Sequence, residues 1–142
     1  MQVADMMTAR VVSVDPYDRL EVVREIFANV RFRHLLVVEE RKLVGVLSDR
    51  DYFKAISPTL GMEAATAADA ATLEPRVHQI MTRKLITVSA NAPLRTVVDK
   101  FLNNRISCLP VVNGDREPEG IVSWRDVMKL LKSRAKALEA FA

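Results

Sequence analysis

The sequence predicts a mixed α/β (α+β) protein built from two copies of a β-α-β-β-α unit packed about a pseudo-twofold axis. Two observations lead to this fold class. The chain contains an internal duplication, and within each copy short β-branched runs alternate with stretches of helical periodicity. A single copy of this length would be only marginally stable alone, so the two copies are expected to pack together.

The duplication is visible in matching residue types along most of the chain. Met7-Thr8 returns 74 residues later as Met81-Thr82, and Val37-Val38 returns as Val111-Val112. Asp51 matches Asp126 with a shift of 75, which places one inserted residue in the turn 113–119. We therefore divide the chain into a first repeat (1–57), a linker (58–75), a second repeat (76–132) and a C-terminal helical extension (133–142).

Each copy contains the same predicted elements. A short strand is expected at Val11–Val14 and at Leu85–Val88, and a helix is expected to start at Asp15-Pro16 and at Ala92-Pro93. Apolar hairpins follow, and each copy closes with a helix that begins near Asp49 or Trp124. The predicted hairpin strands are Leu35–Val38 with Leu43–Leu47, and Leu109–Val112 with Gly120–Val122. Their nearly continuous apolar character indicates strands buried on both faces.

Two segments leave alternatives open. The alanine-rich run 64–71 in the linker is compatible with a short helix or with an extended connector. The last helix carries an apolar stripe at Val127, Leu131, Ala135 and Leu138. That stripe is suited equally to covering the core of this chain and to forming a dimer interface.

Composition excludes several classes of protein. Apolar residues make up 49% of the 142 residues, charged residues 27%, and the net charge is +3. We expect a cytoplasmic, soluble protein, because no apolar run approaches the roughly 20 residues of a membrane helix. Basic residues alternate with acidic ones, so nucleic-acid binding is not expected. One cysteine and two histidines predict neither a disulfide nor a metal site, and we expect no enzyme because no catalytic motif is present.

The strongest chemical signal is a segment that occurs twice. Gly45–Asp51 and Gly120–Asp126 each end an apolar strand at a serine and enter a helix whose third residue is aspartate. Free N–H groups at a helix start, a hydroxyl and a carboxylate would suit a phosphorylated ligand with hydroxyl groups. The same spacing also fits a capping box, in which serine and aspartate only cap the helix. Arg50 and Arg125 favour the ligand, because a cap does not require them.

With these motifs in order and in duplicate, the whole chain resembles a pair of cystathionine-β-synthase (CBS) domains, also called a Bateman module, of the stand-alone bacterial type. The residues that carry the resemblance are Met-Thr at the start of each copy, the apolar strand and the Gly…Ser-x-x-Asp segment. The resemblance implies a regulatory, energy-sensing module that binds AMP, ADP, ATP or S-adenosylmethionine between the copies. It requires no cofactor, and it implies a homodimer that signals to an unknown effector protein.

The resemblance also assigns site residues. Asp51 and Asp126 would bind ribose, and Ser48, Ser123, Arg50 and Arg125 would approach the phosphates. Basic phosphate-binding groups would come from Arg33 and His34, where the second copy has Ser107 and Cys108. The walls around the base would be formed by Thr8, Val12 and Phe32, and by Thr82, Ile86 and Ile106.

Departures from the family pattern bear on both sites. Leu36 replaces a usual proline, Asp49 adds negative charge next to Ser48, and Trp124 stands at the equivalent position. The alternative function is a scaffold without ligand that dimerises and docks a partner protein through its C-terminal helix. The sequence leaves open the nucleotide, the occupied site and the dimer arrangement.

Overall fold

The structure is a computed structural model, and it describes residues 1–31 and 33–139. It contains five strands and five α-helices in these residues, with 3₁₀ turns at Val3–Asp5 and Val77–Gln79. In chain order they are β1 (Ser13–Val14), α1 (Leu20–Asn29), β2 (His34–Glu39), β3 (Lys42–Ser48), α2 (Asp49–Ala55), α3 (Ala67–Ala71), α4 (Leu94–Asn103), β4 (Cys108–Val112), β5 (Pro118–Ser123) and α5 (Trp124–Glu139). The α+β class is confirmed.

The chain forms two compact units. The first unit is Val12–Leu85, and the second unit combines Met1–Val11 with the chain from Ile86 onward. In the first unit β1 runs parallel to β2, and β2 pairs antiparallel with β3. In the second unit β4 pairs antiparallel with β5, and Val88 forms an isolated parallel bridge to Val111.

Each unit has its own hydrophobic core. The residues of each core come from the helices, from the middle of the hairpin and from one more distant segment. The buried core of the first unit is Val14, Leu20, Val23, Leu35, Val37, Leu47, Tyr52, Leu73 and Val77. That of the second unit is Val3, Val88, Val97, Phe101, Leu109, Val111, Val122 and Val127.

The compact units are offset from the sequence repeats by about ten residues at each start. Val3 is fully buried in the core of the second unit, and Thr8 exchanges backbone hydrogen bonds with Ile121 at 2.9 and 3.0 Å. Thr82 makes the same exchange with Val46 in the first unit, at 2.9 and 3.1 Å. The Met-Thr segment that opens each copy therefore packs on the hairpin of the other copy. The repeat boundaries describe the duplication in the sequence, and they are not the boundaries of the compact units.

The structure corrects two of the predicted elements. Helix α1 begins at Leu20 and not near Pro16, because Asp15 and Asp18 close a separate turn in which the Asp15 N–H donates to Asp18 Oδ2 at 2.9 Å. The strand expected at Leu85–Val88 is reduced to the bridge of Val88. In the second copy, by contrast, Pro93 directly precedes α4, as the sequence indicates.

Burial on both faces is confirmed for only one strand of each hairpin. Three consecutive residues of β2 and four of β4 are buried, whereas β3 and β5 alternate between buried and more exposed residues. In the linker a helix forms at Ala67–Ala71, where the Thr66 side chain accepts the Asp69 N–H. Among the described residues no helix is long and apolar enough to span a membrane.

Candidate functional site

Both repeated segments form the capping box that the spacing predicts. Asp51 Oδ2 accepts the backbone N–H of Ser48 at 3.2 Å and the Ser48 hydroxyl at 2.8 Å, while the Asp51 N–H donates to Ser48 Oγ at 3.1 Å. Asp126 and Ser123 make the same three bonds at 2.8, 3.1 and 3.3 Å. The two aspartates are therefore held in one orientation by the chain itself.

The boxes leave half of each carboxylate available. The two bonds that each carboxylate accepts both use Oδ2, and among the described residues no donor is bonded to Oδ1 of Asp51 or Asp126. Both aspartates are half-buried, and the bonds to Oδ2 hold each carboxylate in a fixed orientation. An ionised carboxylate accepts hydrogen bonds only, and the complementary group on a ligand is a hydroxyl or an N–H.

The serines are less available than the sequence indicates. The Ser48 and Ser123 hydroxyls each donate their proton to the neighbouring aspartate, so neither can donate to a phosphate without breaking its box. The backbone N–H of the first residue of α2 and of α5 is also already hydrogen-bonded. That of Asp49 donates to the Arg33 carbonyl at 2.8 Å, and that of Trp124 donates to the Ser107 carbonyl at 3.3 Å. Positive charge for an anionic ligand must therefore come mainly from side chains.

Glycine lets the Met-Thr segment approach each site. A Cβ built on Gly120 would lie 2.7 Å from Met7 Sδ and 2.9 Å from the Thr8 carbonyl oxygen. A Cβ on Gly45 would overlap Met81 Sδ and lie 3.3 Å from the Thr82 carbonyl oxygen. These distances are shorter than, or at the limit of, normal contacts, so the strand glycine is required for the segment to lie across the hairpin.

In the first unit the aspartate lies among several charged groups. His34 pairs with Ser48 across the hairpin, and the neighbouring Arg33 and Arg50 are exposed. Burial lowers the pKa of His34 below its ordinary value, an effect that the carboxylates of Asp49 and Asp51 partly oppose. The site therefore combines two permanent positive charges with two carboxylates and a histidine of lowered basicity.

In the second unit the position equivalent to Asp49 is occupied by an aromatic residue, Trp124. The Trp124 indole N–H donates to the Ile106 carbonyl at 3.3 Å, and its ring lies 5.0 Å from that of Phe101. The first copy has the basic pair Arg33-His34 at this point of the chain. The second copy has Ser107 there, which carries no charge. Arg125 is exposed and supplies the positive charge next to Asp126.

The structure divides the predicted site residues that it describes into two sets of seven. The first unit holds Val12, Arg33, His34, Ser48, Arg50, Asp51 and Thr82. The second unit holds Thr8, Ile86, Ile106, Ser107, Ser123, Arg125 and Asp126. Phe32, the remaining predicted wall residue, lies outside the described residues. That a ligand occupies these places stays a prediction.

Sequence reasoning overlooked two contributors, Met7 and Met81. Their side chains lie directly over Gly120 and Gly45 and pack partly against the core of their unit. The signal that could have revealed them is the pairing of Met-Thr with a strand glycine, which both copies contain. Among the described residues no group of three or more His, Cys, Asp and Glu side chains is placed to hold a metal ion.

Two segments, residues 3–58 and 77–133, match the model of the CBS domain family. They cover most of the chain, and together with the two hairpin-and-helix units they define a tandem pair of regulatory domains. The chain belongs to the CBS domain family.

Solved structures of similar proteins agree with this assignment. The CBS domain pair of protein MJ0100, in complex with 5′-methylthioadenosine and S-adenosyl-L-methionine, is 26% identical with a TM-score of 0.76, covering 94% of this chain and 98% of that one. The structure of MJ1225 from Methanocaldococcus jannaschii, a putative archaeal homolog of g-AMPK, is 31% identical with a TM-score of 0.75, covering 92% of this chain and 47% of that one. The cytosolic domain of the Mg²⁺ channel MgtE in complex with ATP is 25% identical with a TM-score of 0.70, covering 91% and 48%.

Curated relatives are mostly longer than this chain. MJ1225 is 29% identical over 126 residues, which are 88% of this chain and 45% of the relative. Several relatives with enzyme names match over only 16–24% of their own length. The chain thus spans less than half the length of these curated relatives.

Proposed function

We propose that this protein is a ligand-sensing module that binds an adenosine compound at Asp51, at Asp126 or at both. The observation that carries the proposal is the Oδ1 atom left available on each aspartate, in the same orientation in both units. The ribose of adenosine has two neighbouring hydroxyls that can donate to such an oxygen. Relatives solved with 5′-methylthioadenosine, S-adenosyl-L-methionine and ATP support this class of ligand.

The capping box contributes directly to binding in this proposal. Because Oδ2 is fixed by the serine N–H and hydroxyl, the carboxylate loses little freedom when a ribose binds. Capping and ribose binding, which the sequence left as alternatives, are therefore compatible uses of two different oxygens.

The remaining parts of the ligand would contact the neighbouring residues of each unit. The base would lie against the Met-Thr segment and the apolar wall, formed by Val12 in the first unit and by Ile86 and Ile106 in the second. Phosphates would face Arg50 or Arg125. We also propose that the ligand lies between the two copies.

The two sites should have different preferences. Arg33, Arg50 and His34 make the first site the better one for phosphorylated ligands, although Asp49 reduces this advantage. The second site has one arginine and the uncharged Ser107, and we infer that it favours adenosine compounds with fewer phosphates. Unequal sites would allow the protein to respond to a ratio of two ligands.

Isothermal calorimetry against AMP, ADP, ATP, S-adenosylmethionine, 5′-methylthioadenosine and NAD tests the proposal. Asp126→Ala should weaken a ligand of the second site by about 2–3 kcal/mol, or tens- to a hundredfold. Trp124 is the sole tryptophan of the chain, so its fluorescence should report binding at the second site and not at the first. Absence of heat and of fluorescence change across the panel at about millimolar ligand would refute the proposal.

Signalling would follow from a shift in conformational populations. A ligand that binds one arrangement of the units more tightly stabilises that arrangement, which an effector protein can then recognise. We propose, as the family resemblance implies, that this occurs in a cytoplasmic homodimer. Analytical ultracentrifugation with and without nucleotide tests the dimer, and a monomeric mass at about 100 μM would contradict it.

A further inference from the structure

The second unit has a polar cavity at the turn end of its β4–β5 hairpin. Its volume is about 690 Å³, which lies within the range of roughly 300–1,000 Å³ that is usual for small-molecule sites. Most of its lining residues carry hydroxyl, amide or charged side chains, among them Thr87, Ser89, Asn91, Thr96, Lys100 and Glu119. A ligand of this cavity would therefore be polar.

The cavity is separate from the place proposed for adenosine in the same unit. Cys108 and Ser123 pair at one end of the hairpin, next to Asp126, whereas Val112 and Pro118 pair at the other end, where the cavity lies. The four steps along β4 between these two ends span about 14 Å. The inference drawn from this cavity therefore goes beyond the proposed function, and it stands or fails separately.

In the first unit larger side chains stand at the aligned positions. Tyr17 is aligned with Asn91, and its ring lies 5.7 Å from that of His78. The negative charge of Glu39 raises the pKa of Tyr17 above its ordinary value, which places this carboxylate beside the tyrosine hydroxyl. The second copy has Asn113 in place of Glu39, and its two shorter asparagines leave room for a ligand.

The turn that leads into the first helix of each copy has the same backbone hydrogen bond. The Asp18 N–H donates to the Asp15 carbonyl at 3.1 Å, and the Ala92 N–H donates to the Ser89 carbonyl at 3.1 Å. In the first copy two further N–H groups of this turn are bound by carboxylates. Asp18 Oδ2 accepts the Asp15 N–H at 2.9 Å, and Asp15 Oδ1 accepts the Tyr17 N–H at 2.8 Å.

The second copy lacks both of these carboxylates. Ser89 and Ala92 stand at the aligned positions, and neither can accept a hydrogen bond as an anion does. Among the described residues no acceptor is bonded to the backbone N–H of Ser89 or of Asn91. Two donors that bind a carboxylate in one copy are thus available to a ligand in the other.

A positive charge lines the helix side of the cavity. Thr96 and Lys100 are four residues apart on α4, so they share one face of the helix, and both are half-buried. In the described part of the chain no carboxylate lies within salt-bridge distance of Lys100. The first copy has Ile26 at this position, which packs against the first core. A partly buried cation without a counter-charge favours an anionic ligand.

We propose that this cavity binds a small hydroxylated carboxylic acid. The ligand's carboxylate takes the place of the two missing aspartates, accepting the N–H groups of Ser89 and Asn91 and facing Lys100. Hydrogen bonds to an ionised acceptor are stronger than those between neutral groups, so this end of the ligand contributes most of the affinity.

The rest of the lining selects for hydroxyl groups and against further negative charge. The Thr87 and Thr96 hydroxyls have no hydrogen-bond partner among the described residues, and each can both donate to and accept from a ligand hydroxyl. Glu119 is an exposed lining residue that would repel a second anionic group. A monocarboxylate therefore fits better than a dicarboxylate or a phosphate ester.

Amide NMR spectra of the isotope-labelled full chain test the proposal with gluconate and sorbitol as matched probes. The two probes differ only at one end, where gluconate has a carboxylate and sorbitol a hydroxymethyl group. We expect gluconate to shift the Ser89 and Asn91 amide resonances with a Kd on the order of 1 mM or tighter. Sorbitol should bind at least about tenfold more weakly, and 6-phosphogluconate should bind no more tightly than gluconate.

Two kinds of variant separate ligand binding from folding. Lys100→Gln should weaken gluconate about tenfold, whereas Lys54→Gln, which changes an exposed lysine of the first unit, should have no effect. Ser89→Asp/Ala92→Asp restores the carboxylates of the first copy, which would accept the available N–H groups and repel the ligand. We expect this variant to lose gluconate binding while its thermal midpoint stays unchanged or rises.

Several results would overturn the proposal. They are equal binding of gluconate and sorbitol, tighter binding of 6-phosphogluconate, and gluconate binding that Ser89→Asp/Ala92→Asp leaves intact. Unshifted Ser89 and Asn91 resonances at about 10 mM gluconate would also overturn it. Competition between gluconate and AMP would do the same, because the proposal requires two separate sites.

Discussion

Gly120→Ala is the substitution whose effect follows most directly from the geometry. The new methyl group would lie 2.7 Å from Met7 Sδ and 2.9 Å from the Thr8 carbonyl oxygen. Both distances are shorter than 3.0 Å, and Cβ atoms in proteins essentially never make contacts that short. Thr8 is bonded to Ile121 through its N–H at 2.9 Å and its carbonyl at 3.0 Å, so the segment cannot retreat without stretching this pair. Overpacking of about 1–3 kcal/mol and partial loss of a hydrogen bond of about 1 kcal/mol predict a destabilisation of about 2–3 kcal/mol.

Gly45→Ala provides the matched comparison, because its new methyl group would overlap a side chain and not the backbone. There the main overlap is with the Met81 side chain, and the Thr82 carbonyl oxygen stays 3.3 Å away. We therefore expect Met81→Ala to relieve most of the cost of Gly45→Ala. Met7→Ala should relieve little of the cost of Gly120→Ala, since the backbone oxygen remains in the way.

Urea denaturation followed by circular dichroism and by Trp124 fluorescence measures both double-mutant cycles. Gly120→Ala should also weaken ligand binding at the second site more than at the first, because Thr8 belongs to the second unit. A cost for Gly120→Ala below about 0.5 kcal/mol, or equal coupling energies in the two cycles, would refute the reasoning.

Three further predictions follow from local features. Burial lowers the pKa of His34 below 6.5, so the unfolded chain takes up this proton at a higher pH than the folded chain. Its contribution to the free energy of unfolding is full above pH 6.5 and decreases as the pH falls toward the folded pKa; urea midpoints should show this slope, and His34→Gln should remove it. Glu40 and Arg41 have φ of 49° and 68° in the β2–β3 turn, so Glu40→Asn/Arg41→Gly should stabilise by about 1 kcal/mol in thermal denaturation, and a loss of stability would contradict the turn geometry. Burial raises the pKa of Cys108 to about 12, so a thiol reagent at pH 8 should react with the native protein far more slowly than with the denatured chain, and equal rates would contradict it.

Local sequence patterns predicted the elements that depend on neighbouring residues. The two hairpins were predicted to within about two residues, because apolar runs bounded by Glu39-Glu40 and by Asn113-Gly114 leave few other registers. The capping boxes were also predicted, since Ser-x-x-Asp fixes them within four residues. These features need no information from the rest of the chain.

Features that depend on distant residues were not predictable in the same way. The pairing of Thr8 with Ile121 accompanies the packing of Val3 in the second core, and no local pattern encodes that choice. The late start of α1 depends on how Asp15 and Asp18 share hydrogen bonds, against the preference of Pro16 for a first helical turn.

The central claim is that Oδ1 of each capping-box aspartate binds a ribose, and ligand binding without the ribose hydroxyls tests it most directly. Calorimetry should compare AMP with 2′,3′-dideoxy-AMP on the wild-type protein and on the Asp51→Ala, Asp126→Ala and double variants. We predict that removing the hydroxyls costs about as much affinity as removing the aspartate of the occupied site, and that the two changes together cost little more than either alone. Equal affinity of AMP and 2′,3′-dideoxy-AMP for the wild-type protein, or unchanged binding of AMP to the double variant, would contradict the claim.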